Sequence, residues 1–352
     1  MKTGRDLSPL LEELRRQSQA KRDYVVPQQR MRMSENAHHF WLMPDDDARH
    51  NVPLEMTHLF HRQMGAVLGI PSKYYDKMHE TLPSLLAANV NAWFERGETK
   101  HTIRTMDSLG RAFLSDRYRR LDNLEIALTV LPLIAEMEGA RVESCEVTDN
   151  RMYIKVVNTR LEAEVVPGDV VQAGIVISNS EVGLGSVSVM PLVYRLVCAN
   201  GMILPDMGQR KNHVGRELDE MWEIYSDATM EAEDAAFLMK LSDTVRMAVK
   251  ETQFAIIVDK LRAAHDAKIT APIPEIVELT AKQYGLNQTE GNDILRHLIE
   301  GGDLSLYGLA NAVTRAANDA MDYDRASALE GLGGQMALMP RAQWMALNEV
   351  PQ

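Results

Sequence analysis

The sequence predicts an α+β protein: a helical N-terminal module, a central antiparallel β-sheet with a long hairpin, and a helical C-terminal half. Three observations predict it. Apolar residues recur at three-to-four spacing over 54–96 and again over 216–263. Between Arg141 and Leu204 the period becomes two. Within that region GIVISNSEVGLGSVSVMPLVYRLVCANGMIL, Gly174 to Leu204, reads as two long strands joined by a polar turn of Ser178, Asn179, Ser180, Glu181, Gly183 and Gly185. The chain thus divides into a lead-in of residues 1–53 with one helix, an α+β core of 54–215, and a helical region of 216–352.

Each element has its own signal. Residues 8–22 form a helix, with Ser8 as cap, Pro9 in the first turn and Leu10, Leu11 and Leu14 as its apolar stripe. Tyr24 to Pro53 is irregular, broken by Pro27, Pro44 and an Asp45-Asp46-Asp47 run, and reads as loop or short strands. From Leu54 to Arg96 the pattern is helical, punctuated by Gly69, Pro71, Pro83 and Gly97. Residues 101–118 switch to a strand and a turn at Asp107–Gly110, and this pair is expected to extend the central sheet. Leu121 to Glu138 is helical; four antiparallel strands follow. The C-terminal half reads as one long or two consecutive helices over Arg216–Ala263, then helices at 275–284, 289–299, 305–320 and 324–331.

Composition bounds the class. A content of 45% hydrophobic and 25% charged residues is that of a soluble globular protein. No apolar run nears the roughly 20 residues a membrane span needs, and MKTGRDLSPLLEELRRQ lacks the apolar core of a signal peptide. A cytoplasmic location is expected. Cys145 and Cys198, both placed in strands, read as a reduced pair too few for a cysteine-based zinc site.

The net charge of −12 argues against non-specific coating of DNA, but it is unevenly spread. Residues 95–120 carry seven bases against four acids, whereas 217–234 carry eight acids and no base.

Several constellations invite chemistry. His58 and His61 lie three apart on a helix and can face one metal, yet no third ligand follows at a standard spacing. Ordinary surface histidines are the better reading, and no metal or cofactor is expected. Met56–Leu68, Gly-Ile-Pro and Ser72–His79 have the outline of a helix–turn–helix. The second helix, SKYYDKMHE, is poor in base-reading residues, so a structural hairpin is expected. The stretch IRTMDSLGRAFLSDRYRRLDN offers Arg104, Arg111, Arg117, Arg119 and Arg120 for phosphates and Tyr118 for stacking, unless Arg117, Arg119 and Arg120 pair with Asp116 and Asp122. In SNSEVGLGS, Glu181 argues against a phosphate cradle and for a hairpin tip. Arg195 follows on the strand, and GQRKNHVGR supplies Arg210, Lys211 and Arg216 on a basic loop. The phrase NAVTRAANDA alternates small residues suited to a core or a subunit interface. No set of residues reads as catalytic.

Four phrases carry a family resemblance: RAFLSDRYRRLDN (111–123), TDNRMYIKVV (148–157), the 174–204 hairpin, and LYGLANAVTRAANDAMDYDRASALEGLGG (306–334). In that order they resemble the phage/plasmid-like proteins, a domain of unknown function found in bacteriophages, plasmids and integrative elements, over about Leu54 to Gly334. The resemblance implies a mobile-element protein at work in a bacterial host cell. It brings no settled activity.

With the basic residues it leads to an expected role as a nucleic-acid-binding accessory protein, acting on single-stranded DNA in recombination or replication. The expected contacts are Arg104, Arg111, Arg117, Tyr118, Arg119, Arg120, Arg195, Arg210, Lys211 and Arg216. The alternative is a non-enzymatic interaction protein that modulates host defence or replication. The partners expected are accordingly single-stranded DNA or a host or phage protein, within a homo-oligomer and away from membranes.

Overall fold

The computed structural model describes residues 1–118, 121–185, 187–207, 209–211, 227–248 and 251–348. Helix α1 (Leu7–Ala20) opens the chain, with Asp6 rather than Ser8 at its N-cap. It buries Leu10 and Leu14 and leads directly into β1 (Lys21–Pro27).

The N-terminal module is not purely helical. Strands β2 (Met31–Met33), β3 (His39–Leu42) and β4 (Val52–Met56) follow β1 through the region expected to be irregular. They alternate correctly, with Met31, Met33, Phe40, Leu42 and Leu54 inward, but each is too short to register as periodic. Helices α2 (His58–Val67), α3 (Ser72–Thr81) and α4 (Pro83–Arg96) come next, then β5 (Lys100–Met106) and β6 (Leu109–Ser115).

These six strands form one sheet in the order β1-β5-β6-β4-β3-β2. The 101–114 pair therefore belongs to this first sheet and not, as the sequence suggests, to the central one: β5 pairs along the whole of β1. The module closes on a cluster of aromatic rings, with Phe60 edge-to-face against Phe40 at 5.1 Å and Phe113 at 5.6 Å.

Helix α5 (Asn123–Glu136) leads to the central sheet of β7 (Ala140–Val147), β8 (Met152–Glu164), β9 (Val170–Asn179), β10 (Val187–Arg195) and β11 (Asn200–Ile203). Its order is β11-β10-β9-β8-β7, and β12 (Gln209–Lys211) pairs with β10. The long hairpin forms as the sequence indicates, in register from Ser188↔Ser178 to Arg195↔Val171. Cys145 lies buried in β7, but Cys198 falls in the turn after β10 rather than in a strand.

The C-terminal half is α6 (Asp227–Ala248), α7 (Glu251–Asp266), α8 (Ile273–Tyr284), α9 (Gln288–Gly301), α10 (Leu306–Ala316), α11 (Tyr323–Ala337) and α12 (Arg341–Asn348). These helices cover both faces of the sheet. Ile175, Ile177, Val187 and Val189 pack with α1, α5 and α6, and Val171, Ala173 and Val193 with α7. On the opposite face Tyr153, Val157 and Val176 meet Tyr323 of α11. Helix α11 approaches so closely that a Cβ on Gly334 would stand 1.8 Å from the Ile203 carbonyl oxygen. The small residues of α10 are core, since nearly the whole helix is buried. Among the described residues no helix is long and apolar enough to cross a membrane.

Candidate functional site

The turn that follows β9 was expected to be a hairpin tip. It joins β9 to β10 and is interior: Ser180, Glu181 and Val182 are at most 1% exposed. Glu181 sits where the two sheets meet and collects donors from both sides. Its carboxylate accepts from Lys21 Nζ of β1, from Arg111 Nη1 of β6 at 3.3 Å and from the Asn123 backbone N–H of α5 at 2.7 Å.

Arg104 of β5 lies alongside, donating to Asp23 at 3.0 Å, to Asp122 at 2.6 Å and to the Glu181 carbonyl at 3.1 Å. Three cations thus meet three carboxylates in a nearly closed network. Burial works against the charge on Arg104, but Asp122, Asp23 and Glu181 outweigh it and hold the guanidinium above its ordinary value. Burial likewise opposes ionisation of Asp122, yet Arg104 and Lys21 keep its carboxyl below the usual range.

This arrangement decides the fate of the expected contacts. Arg104 and Arg111 are 3% and 7% exposed and already bonded to carboxylates, so neither offers its guanidinium to an outside phosphate. In the structure the two arginines join the sheets. Arg195 is likewise engaged, donating to Asp169 at 2.7 Å at the far end of the hairpin. Tyr118 is half-buried and its hydroxyl donates to the Ser180 carbonyl at 2.9 Å, with burial pushing the phenol up to about 12.

Arg117 is exposed. Arg119, Arg120 and Arg216 lie outside the described residues, as does the acidic run from 217 to 226. The backbone of Arg210 and Lys211 runs in β12, where Lys211 pairs with Val187 and Arg210 with Ser188. Two basic segments far apart in sequence, 117–118 and 209–211, therefore flank one end of the β9–β10 hairpin. What sequence reasoning missed are the acids: Asp23 and Glu181 lie 81 and 77 positions from Arg104, the residue they contact. The one available signal was a glutamate in an otherwise small and polar turn.

The histidines cluster more than their spacing suggests. His61 Nδ1 lies 2.7 Å from the Tyr75 hydroxyl; its ring packs on His79 at 4.6 Å, and His79 on His38 at 5.7 Å. Still, among the described residues no three His, Cys, Asp or Glu side chains are placed to hold a metal ion. Helix α3 is anchored by buried Tyr75 and Met78.

Burial, reinforced by His79, His58 and His38, lowers the His61 pKa to about 4. A native pKa below the unfolded one means that the unfolded chain takes up the proton first. Stability is therefore full above about pH 6.5 and falls as pH drops towards 4, by about 2–3 kcal/mol between pH 7 and pH 4.5. Urea midpoints at the two pH values measure the loss, and His61→Gln should remove that part of it.

No curated protein and no solved structure matches the chain. One family model does, described as a domain of unknown function (DUF932), over residues 112–270. The matched span runs from β6 past the end of α7 and contains the whole central sheet. Three of the four phrases that carry the sequence resemblance lie essentially within it, and the phrase at 306–334 lies beyond it. Residues 112–270 of this chain are therefore similar to the uncharacterised DUF932 domain family.

Proposed function

We propose that the protein binds single-stranded DNA at the hairpin end flanked by residues 117–118 and 209–211, as an accessory factor in the recombination or replication of a phage or plasmid in the bacterial cytoplasm. The reading rests on one observation: backbone register sets β12, with Arg210 and Lys211 in its sequence, beside the same hairpin end to which Tyr118 ties the exposed Arg117.

Arg151, reaching the Leu184 carbonyl, adds a further guanidinium there. Cations gathered on one edge release counterions from a polyphosphate even when the whole protein is anionic. Because helices cover both sheet faces, bases are not laid across the sheet, and contact is confined to this end. The footprint is small, about three phosphates, so affinity for a labelled oligothymidine should fall about twentyfold between 50 and 200 mM salt.

Fluorescence anisotropy measures this directly. Arg117→Ala with Arg210→Ala and Lys211→Ala should weaken binding and flatten the salt slope, while thermal stability stays unchanged. Absence of binding at low salt sinks the reading, as does a triple variant that binds like the wild type.

A further inference from the structure

A cavity of about 730 Å³ opens in the C-terminal half, bordered by the end of α7, the end of α11 and α12. Folded interiors leave few voids larger than a water molecule, whereas sites for small organic molecules run to about 300–1,000 Å³.

Small side chains make the room. Ala263 and Ala264 lie on α7, Ala267 just past its end, and Ala337 ends α11. Alanines leave open the volume that leucines would fill. Trp344 and Met345 of α12 supply another wall. That helix is pinned at its far end, where Asn348 Oδ1 accepts from the Thr270 and Ala271 N–H groups at 2.9 and 3.2 Å. Asn348 Nδ2 in turn donates to the Lys268 carbonyl at 3.0 Å, which keeps α12 from settling into the space.

Two features set the chemistry of what enters. Trp344 is 4% exposed, yet its indole N–H has no hydrogen-bond partner among the described residues, and buried tryptophans ordinarily find one. Cations dominate the rim, with Lys260, Lys268 and Arg341 set against the carboxylate of Asp266. Lys260 shares the side of α7 that carries Ala263 and Ala264, and Asp266 stands about a third of a turn away from it. Lys268 is already engaged by His265 at 3.1 Å and by Asp303 at 3.9 Å. Lys260 and Arg341 are exposed and belong to no ion pair among the described residues, so both charges are available to a ligand.

We infer that this cavity binds an amphipathic organic anion, a medium-length apolar chain bearing one carboxylate. The chain lies over the alanines and against Trp344, and the carboxylate meets Lys260 and Arg341 at the rim. None of these residues belongs to the DNA contact proposed above.

Equilibrium dialysis of the full chain against decanoate tests this, with decanol and decyltrimethylammonium as the neutral and cationic counterparts. Decanoate should bind about tenfold more tightly than either, since its charge gains partners that the others lack. Octanoate should bind more weakly than decanoate, by about fourfold for each methylene no longer buried. Lys260→Gln combined with Arg341→Gln should abolish the preference for decanoate and leave decanol binding and thermal stability unchanged. Ala263→Phe, at an exposed position, should weaken decanoate and decanol alike by occupying the floor, with circular dichroism confirming the fold. Decanoate binding no tighter than decanol overturns the inference, as does a double variant that keeps the preference. A chain that dimerises by light scattering and takes up no decanoate overturns it as well, because the face then serves a second copy.

Discussion

Glu181→Gln should destabilise the protein by about 3–5 kcal/mol, because it takes the carboxylate away from buried Lys21 and Arg111. Lys21, Arg104 and Arg111 have side chains at most 8% exposed, so they cannot turn to water when the carboxylate goes. The neutral amide can still accept from the Asn123 N–H, so the loss measured is chiefly one of charge.

Urea midpoints followed by circular dichroism and tryptophan fluorescence give the size of the effect. Lys21→Met in the Glu181→Gln background should add much less than it does alone, since the two residues share one interaction. A midpoint unchanged in Glu181→Gln contradicts the account. The same junction has a pH signature: Asp122 ionises more readily in the native state, so its contribution is present above about pH 4 and is lost as pH falls through the lower native value.

The second large effect lies under α11. Lys155 of β8 and Glu330 are both 0% exposed, joined at 2.5 Å, and the ammonium stands 4.4 Å from the centre of the Tyr323 ring. Burial pulls the Lys155 pKa down although Glu330 opposes it. Glu330→Gln leaves a cation, or a neutral amine that has lost its carboxylate, in a dry interior and should cost about 3–5 kcal/mol.

Replacing both partners tests whether the charge itself is the difficulty. Lys155→Met with Glu330→Leu should recover most of the loss, because apolar groups of similar volume carry no desolvation penalty. If the double variant is as unstable as the single one, packing and not charge governs the site.

Much of the secondary structure was legible. The hairpin from Val170 to Arg195 was plain because long strands with polar turns leave a strong period-two pattern. Most of the C-terminal helices were plain through their apolar stripes, but α12 was not among those expected. Strands β2 and β3 were not, since three or four residues cannot establish a period. Nor was the membership of β5 and β6, because a hairpin's sequence does not say which edge it joins.

The candidate sites divide in the same way. A run of arginines over 104–120 is visible in the chain, but its meaning depends on acids brought up from β1 and from the β9–β10 turn. Without those distances, an arginine that grips phosphate and one that joins two sheets look alike.

Local pattern thus determined most of the helices and the longer strands, and that a long antiparallel hairpin lies at the centre. Tertiary structure alone decided that Glu181 is interior, that Arg104 and Arg111 face carboxylates, and that Lys260, Arg341 and Trp344 border one cavity. The reason is range: periodicity and capping act over a few residues, whereas charge pairing and enclosure depend on which distant segments the folded chain brings within a few ångströms.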